Sequence, residues 1–281
     1  MIELSRVGLG TNNFGRRLDL DGSRAVVEAA LAGGVTHIDT ADIYGGGESE
    51  RYIGQILEGR RGDAVIATKF GMGEGANGSP RYVRRAIEDS LERLRTDYVD
   101  LFYYHRPDKA TPIAETVGAM NELVTAGKVH AIGVSNVDAA QLREAAAAAP
   151  LAVVQNQYSL LERGAEAEIL PLCEELGVGF VPYFPLASGL LTGKYRRGEP
   201  MPAGTRLAGR SIDRNTFDRI EALERFSAAR GHSLLELAIG ALESQPAVVS
   251  VIAGATTPEQ VRANAAAAGW RLTPEELAAL P

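Results

Sequence analysis

The chain has 281 residues and a formal net charge of −7, with 45% hydrophobic and 23% charged side chains. That is ordinary globular material with enough apolar content for a core, and the acidic balance, with a pI near 5.3, argues against a nucleic-acid partner. Cys173 is the one cysteine, so there is no internal disulfide framework and a reducing compartment is expected.

No stretch approaches the roughly 18 uninterrupted apolar residues of a membrane span, and Met1-Ile-Glu-Leu-Ser-Arg6 lacks the pattern of a signal peptide. A cytoplasmic protein without a membrane partner is the expectation. Short apolar runs alternate with amphipathic ones along its length. The runs predict strands at Val7–Thr11, Thr36–Asp39, Ala64–Lys69, Val99–His105, Ala131–Ser135, Val153–Gln155, Gly179–Tyr183 and Val248–Ile252. Helical patterns lie between them at Gly22–Ala32, Glu48–Glu58, Arg81–Arg95, Ile113–Ala126, Ala139–Ala148, Ala165–Leu176, Asn215–Ala229 and Leu234–Leu242. Ser79-Pro80, Thr111-Pro112, Thr257-Pro258 and Thr273-Pro274 each set an N-cap hydroxyl before a proline suited to the first helical turn. Gly33-Gly34, Gly127 and Gly177 are stop signals. Eight strand–helix units predict an α/β fold, a single-domain (β/α)8 TIM barrel over residues 1–281. The irregular stretch Tyr195–Asp213, between the seventh strand and its helix, reads as a lid or cofactor clamp, and its neighbourhood carries Arg196, Arg197, Arg206, Arg210 and Arg214.

Three successive strands end in a charged or titratable residue: Asp39, Lys69 and His105, with Tyr44 five residues beyond Asp39. A charged group at the end of an apolar strand is costly to bury alone, so the four are expected to converge at the C-terminal face of the barrel. Their chemistry is complementary. A tyrosine with a pKa of about 10 is a poor acid at neutral pH. A neighbouring ammonium lowers that pKa, and a carboxylate keeps the ammonium charged. A histidine donates to a carbonyl oxygen. Together they protonate a carbonyl while something attacks its carbon, and the natural attacker is hydride from a nicotinamide.

The stretch His37-Ile-Asp39-Thr-Ala-Asp-Ile-Tyr44-Gly45 resembles the signature of the aldo-keto reductase superfamily. Thr68-Lys69, His105-Arg106-Pro107-Asp108, Gly133-Val-Ser135-Asn136, Gln155-Asn-Gln-Tyr-Ser159, Pro182-Tyr-Phe-Pro-Leu186 and Ser188-Gly-Leu-Leu-Thr-Gly-Lys194 continue the resemblance in order. It implies an NAD(P)H-dependent carbonyl reductase, or alcohol or sugar dehydrogenase, acting on a small carbonyl or alcohol. Tyr44 would be the proton donor, tuned by Lys69, with Asp39 holding Lys69 and His105 orienting the carbonyl. Ser135, Asn136 and Gln155 would hold the nicotinamide carboxamide, and Tyr183 would stack on the ring. Leu186, Ser188, Gly189, Leu190 and Lys194 would follow the pyrophosphate. Gly254, Thr256, Thr257, Gln260 and Asn264 would take the adenosine end. The resemblance favours NADP(H), with NAD(H) open, because Arg262 is the only cation after the last strand that could reach a 2′-phosphate.

Two other readings stand beside it: a Schiff-base lyase using Lys69 as the amine, and a low-turnover, cofactor-sensing subunit of the same fold. No metal-site spacing is present, and a monomer is expected. His37 reads as a packing histidine, Asp42 as a loop hydrogen-bonder and Asp100 as an anchor at the strand's far end. Phe14 and Tyr52 read as pocket walls, Phe184 as an apolar floor, and Arg106 either as a pocket residue or as a rim ion pair.

Overall fold

The apolar runs become eight parallel strands: β1 (Val7–Gly10), β2 (His37–Asp39), β3 (Val65–Phe70), β4 (Val99–Tyr104), β5 (Val129–Ser135), β6 (Val153–Gln157), β7 (Gly179–Tyr183) and β8 (Val251–Gly254). The structure, a computed structural model, describes residues 2–202 and 204–281; Met1, and Ala203 within the expected Tyr195–Asp213 loop, lie outside the described residues. Helices α1 (Leu20–Ala32), α2 (Glu48–Ile56), α3 (Pro80–Leu94), α4 (Ile113–Thr125), α5 (Ala139–Ala148), α6 (Ile169–Leu176), α7 (Arg214–Ala228), α8 (Leu234–Glu243), α9 (Pro258–Ala266) and α10 (Pro274–Ala278) complete the chain.

The strands pair in the order β7-β6-β5-β4-β3-β2-β1-β8. The two ends of that ladder meet one step before β8. The Phe180 N–H donates to the Ala247 carbonyl at 2.7 Å, and the Val249 N–H donates to the Phe180 carbonyl at 3.0 Å. This corrects the expected last strand, Val248–Ile252: its first residues close the barrel against β7, and only from Val251 does the chain pair with β1. A (β/α)8 barrel with helices around it is therefore the fold.

Packing follows the two-residue period of the strands. One set of side chains meets the helices in the main core, among them Leu9, Ile38, Ile66, Phe102, Val134 and Phe180. The alternate set fills the barrel interior, where Ala67, Leu101, Tyr103, Val153, Val181 and Ile252 pack together. A third cluster lies beneath α7 and α8 and includes Leu160, Leu191, Phe217 and Leu237. Removing any large member of these clusters costs about 2–5 kcal/mol through lost burial and residual cavity.

Caps set the helix starts. Ser79, Asp138, Asp213, Ser233, Thr257 and Thr273 each accept a first-turn backbone N–H. Thr111 does not cap α4: its N–H and hydroxyl both turn back to the Asp108 carboxylate, and the helix starts from Pro112 without a side-chain cap. The pattern expected as a helix from Ala165 begins with a 3-10 turn at Gly164–Glu166 and becomes α-helical only at Ile169.

Candidate active site

Register brings the site together. Asp39 ends β2, opposite Gly10 of β1 and Ala67 of β3. Lys69 lies opposite Tyr103, and Ser135 opposite Gln155. His105 follows β4 directly and is fixed by its N–H, which donates to the Phe70 carbonyl at 2.8 Å. Asp39, His105, Ser135 and Gln155 open onto one cavity of about 900 Å³ at the C-terminal face, with Lys69 buried beneath it, and Tyr44, Asn136, Tyr183, Thr256, Gln260 and Asn264 also line it.

At its base the Lys69 ammonium is fully buried. It donates to Asp39 Oδ1 at 2.5 Å and to the Thr40 carbonyl at 2.9 Å. Gln155 Nε2 donates to Asp39 Oδ2 at 2.9 Å, so both carboxylate oxygens are engaged. A chain of hydroxyls, Thr40 to Ser49 to Thr11, ends on the Asp39 carbonyl and holds the strand ends in place. Burial by itself would depress the Lys69 pKa, but Asp39 reverses this and holds it above the usual value. A charged, enclosed ammonium offers no free amine for a covalent adduct, which counts against the lyase reading.

Tyr44 starts a tight turn, Tyr44–Gly47. Gly45 sits at φ +60°, and a Cβ there would come within 2.6 Å of the Phe14 carbonyl oxygen, so glycine is required to bring the phenol over the cavity. The Lys69 Nζ lies 5.4 Å from the Tyr44 ring centroid, and the His105 ring meets Tyr44 edge-on at 6.0 Å. The expected lowering of the Tyr44 pKa is not the net outcome. Burial pushes the phenol above its usual value while Lys69 pulls it down. His105 is pushed down to about 3 by burial and by the Lys69 and Arg106 charges. At neutral pH the site therefore presents a protonated phenol and a neutral imidazole, two groups able to donate to one carbonyl oxygen.

Ser135, Asn136, Gln155 and Tyr183 are knitted to one another. The Ser135 hydroxyl donates to the Gln155 carbonyl at 2.7 Å. Asn136 Nδ2 donates to the His105 carbonyl at 2.9 Å, and Asn136 Oδ1 accepts from the Tyr183 hydroxyl at 2.6 Å. Further along, Leu186, Ser188, Gly189, Lys194, Gly254, Thr256, Gln260 and Asn264 line the cavity. Leu190 and Thr257 do not: Leu190 packs into the cluster under α8, and Thr257 caps α9. Arg262 also turns away and pairs with Glu259 at 2.7 Å instead of reaching back to the end of β8.

Several cavity residues were missed in the sequence, chiefly the loop after β1: Thr11, Asn12, Asn13, Arg16 and Arg17. Polar residues directly following a strand were the available signal there. Arg17 donates to the Gly204 carbonyl, and Arg206 reaches Asn12 Oδ1 at 3.3 Å, so this loop and the long loop after β7 meet over the cavity. The other loop arginines divide. Arg196 and Arg197 pair with Glu224, Asp218 and Glu221 of α7. Arg16, Arg17, Arg106, Lys194 and Arg206 line the cavity, whereas Asp39 is the one carboxylate among the described lining residues.

Phe184 is 42% exposed and forms a rim under the Arg206 guanidinium rather than a floor. Phe14 and Tyr52 belong to the main core and do not line the cavity. His37 is buried with Nδ1 on Ser250 at 2.9 Å, and burial lowers its pKa to about 4. Asp100 anchors the far end of its strand by accepting from Arg61 and from the Ile66 N–H. Asp42 is not a simple hydrogen-bonder: its buried Oδ1 has no partner among the described residues, and burial beside Glu50 raises its pKa to about 7. No group of three or more His, Cys, Asp or Glu that could hold a metal occurs among the described residues, and no helix among them is long and apolar enough to cross a membrane.

A buried Lys–Asp pair under a phenol and an imidazole, at the mouth of a (β/α)8 barrel, is an arrangement able to hold and protonate a carbonyl oxygen. Residues 6–281 match the model of the aldo/keto reductase family, and the chain belongs to that family, whose members are NAD(P)H-dependent oxidoreductases. It is 36% identical to the NADH-specific methylglyoxal reductase of Escherichia coli, over 97% of this chain and 92% of that protein. It is 38% identical to a rice protein named as a probable voltage-gated potassium channel subunit beta, over 89% of this chain and 83% of that one. Among solved structures, the glycerol dehydrogenase AKR11B4 from Gluconobacter oxydans superposes with a TM-score of 0.87 at 34% identity, covering 99% of this chain and 90% of that one.

Proposed function

We propose that the protein reduces small aldehydes and ketones, and oxidises the corresponding alcohols, with Tyr44 as the group that gives and takes the proton. What carries this reading is the buried Asp39–Lys69 pair, 2.5 Å apart, beneath the Tyr44 ring. In reduction the Tyr44 hydroxyl donates to the carbonyl oxygen, which neutral His105 holds by a second hydrogen bond. Lys69 stabilises the phenolate left behind, and Asp39, fixed by Gln155, keeps Lys69 charged and aimed. When bound, the nicotinamide supplies the hydride. Gln155 Oε1, the Ser135 hydroxyl and the Asn136 side-chain amide are the groups suited to its carboxamide, Tyr183 to its ring, and Lys194 and Arg206 to the phosphates. The cavity's size and its excess of cations over carboxylates fit such a dinucleotide.

Both cofactors are expected to bind. Arg262 is held by Glu259, and the Thr256 N–H and hydroxyl are engaged by Gln260 Oε1 at 2.8 and 3.2 Å. The NADP(H) preference should therefore stay within about tenfold, or about 1.4 kcal/mol. Arg106 lines the cavity beside His105, which supports hydroxyl-rich or anionic carbonyl substrates. Ile43, Met72 and Phe184, three of the four exposed large hydrophobic residues described, ring the cavity, leaving the outer helices without an apolar patch. That supports a monomer.

The test is a panel of aldehydes, ketones and alcohols followed at the reduced-nicotinamide absorbance with each cofactor, for the wild type and Tyr44→Phe. The expected result is turnover that collapses in the variant. The sensing-subunit reading, which the rice relative's name keeps in view, predicts tight cofactor binding and almost no turnover in both proteins.

A further inference from the structure

The Lys69 ammonium lies between two aromatic faces. Tyr44 is above it at 5.4 Å from the ring centroid, and Tyr103 is below at 5.7 Å. We propose that Tyr103, inside the barrel and out of reach of substrate, is a positioning residue for the Tyr44 proton, and that it acts by holding the Lys69 charge against its ring.

Three observations support this. Tyr103 is fully buried in the interior cluster, with Lys69 as its cross-strand neighbour on one side and Gly133 on the other. Gly133 leaves room for both the next strand and the ring: a Cβ there would come within 2.7 Å of the Val153 carbonyl oxygen and 2.8 Å of Tyr103 Cε1. The Tyr103 hydroxyl has no hydrogen-bond partner among the described residues. A buried O–H without a well-formed partner is unfavourable, and its polar neighbours Gln155 and Asp39 are already bonded to each other, whereas its ring meets a desolvated cation. Cation–π attraction is strongest where water is excluded.

The ammonium is faced from β2 by Asp39, from the loop after β2 by Tyr44 and Asp42, from the interior by His37, and from the end of β4 by His105. Asp39 fixes the charge laterally. The Tyr103 ring closes the side facing the barrel interior and keeps Nζ under the phenol. Loss of the ring should let the ammonium sink into the interior, weakening its pull on Tyr44.

This inference rests on the assignment of Tyr44 as the proton donor, and the experiment separates the two. Tyr103→Leu and Tyr103→Phe are compared with wild type by steady-state kinetics. The ionisation of Tyr44 is read optically as the tyrosinate difference between each protein and its Tyr44→Phe counterpart in pH-jump measurements. For Tyr103→Leu the expected result is a three- to tenfold fall in kcat, with KM and cofactor Kd within about twofold, and a Tyr44 midpoint displaced upward by about half a pH unit or more. Tyr103→Phe should restore both and melt no lower than wild type. Should the Leu variant fail to fold, Tyr103→Met, which keeps buried volume without a π face, takes its place and should move the Tyr44 midpoint the same way. An unmoved midpoint in the ring-less variant, or a Phe variant displaced as far as Leu, overturns the proposal. Absence of turnover in the wild type would overturn the assigned reaction while leaving the optical titration to decide Tyr103.

Discussion

The two ends of the cavity are built differently. At the Tyr44 end the groups sit on strand ends: Asp39, Lys69, Ser135 and Gln155 are each 3% exposed or less, and they bond to one another or to backbone. At the far end the walls are loops and helix starts, where Lys194 and Arg206 are exposed, and Thr256 and Gln260 bond mainly to each other. Rigid strand ends suit proton transfer, where a small misplacement costs rate. Loops suit a ligand that must enter and leave. The difference predicts that changes at the first end alter the chemical step and stability, and changes at the second alter affinity and exchange.

The sharpest way to break this contrast is Tyr44→Phe. Carbonyl reduction should fall by about 10²–10⁴-fold with cofactor Kd unchanged, because only the transferable proton is lost. A near-wild-type kcat on several aldehydes would remove Tyr44 from its role. Next comes Asp39→Ala, which strands the Lys69 ammonium without a counter-charge. Breaking one partner of a buried pair costs about 3–5 kcal/mol, so denaturant unfolding should show a loss of that size alongside lost activity. Asp39→Asn should lose less of both.

At the loop end the effects should be smaller and of another kind. Arg206→Ala removes the contacts to Asn12 and Asn13 and should weaken cofactor binding by about tenfold, chiefly through faster release, with the chemical step in single turnover preserved. A loss confined to the chemical step would mean that the two ends are not separable. Thr256→Arg should widen the NADP(H) preference by up to about tenfold. Arg262→Ala should leave the preference unchanged, because that guanidinium is paired with Glu259; competitive binding of the two cofactors measures both.

The smallest effect is in pH. With His105 at about 3 and Tyr44 above its usual value, neither titrates between pH 5 and 8. Asp42, at about 7, is the group left to do so. Below that pH it is neutral; above it, its negative charge raises the Tyr44 pKa and weakens the acid. Reduction should therefore decline slightly as pH rises through 7, and Asp42→Asn should flatten that step.

The rigid end was largely legible in the sequence, and the loop end was not. Asp39, Lys69 and His105 were visible because each closes an apolar run, and Tyr44 because it stands in a recognisable segment with them. Strand register then does the rest: a residue at the end of a parallel barrel strand has few places to point. Leu190, Thr257 and Arg262 show the opposite case. Each lies in a cavity-forming segment, yet whether a side chain turns inward is decided by neighbours such as Glu259 or the core under α8, which sequence order does not reveal. The direction of the Tyr44 pKa was misread for a related reason. Proximity to Lys69 could be inferred from type and position, but the extent of burial that outweighs it could not. Tyr103 escaped notice as one more aromatic in an apolar strand.

The cavity's charge contrasts with that of the body around it. The chain carries a net −7, yet among the described residues the cavity wall has Arg16, Arg17, Arg106, Lys194 and Arg206 against the single carboxylate of Asp39. An anion diffusing toward this molecule meets repulsion over most of its surface and attraction at one opening, with field lines concentrated between low-dielectric walls. Capture of a dinucleotide is then guided before any contact forms. Its association rate should fall steeply as salt shortens the screening length toward about 8 Å, whereas the rate of an uncharged aldehyde finding the same mouth should hardly change.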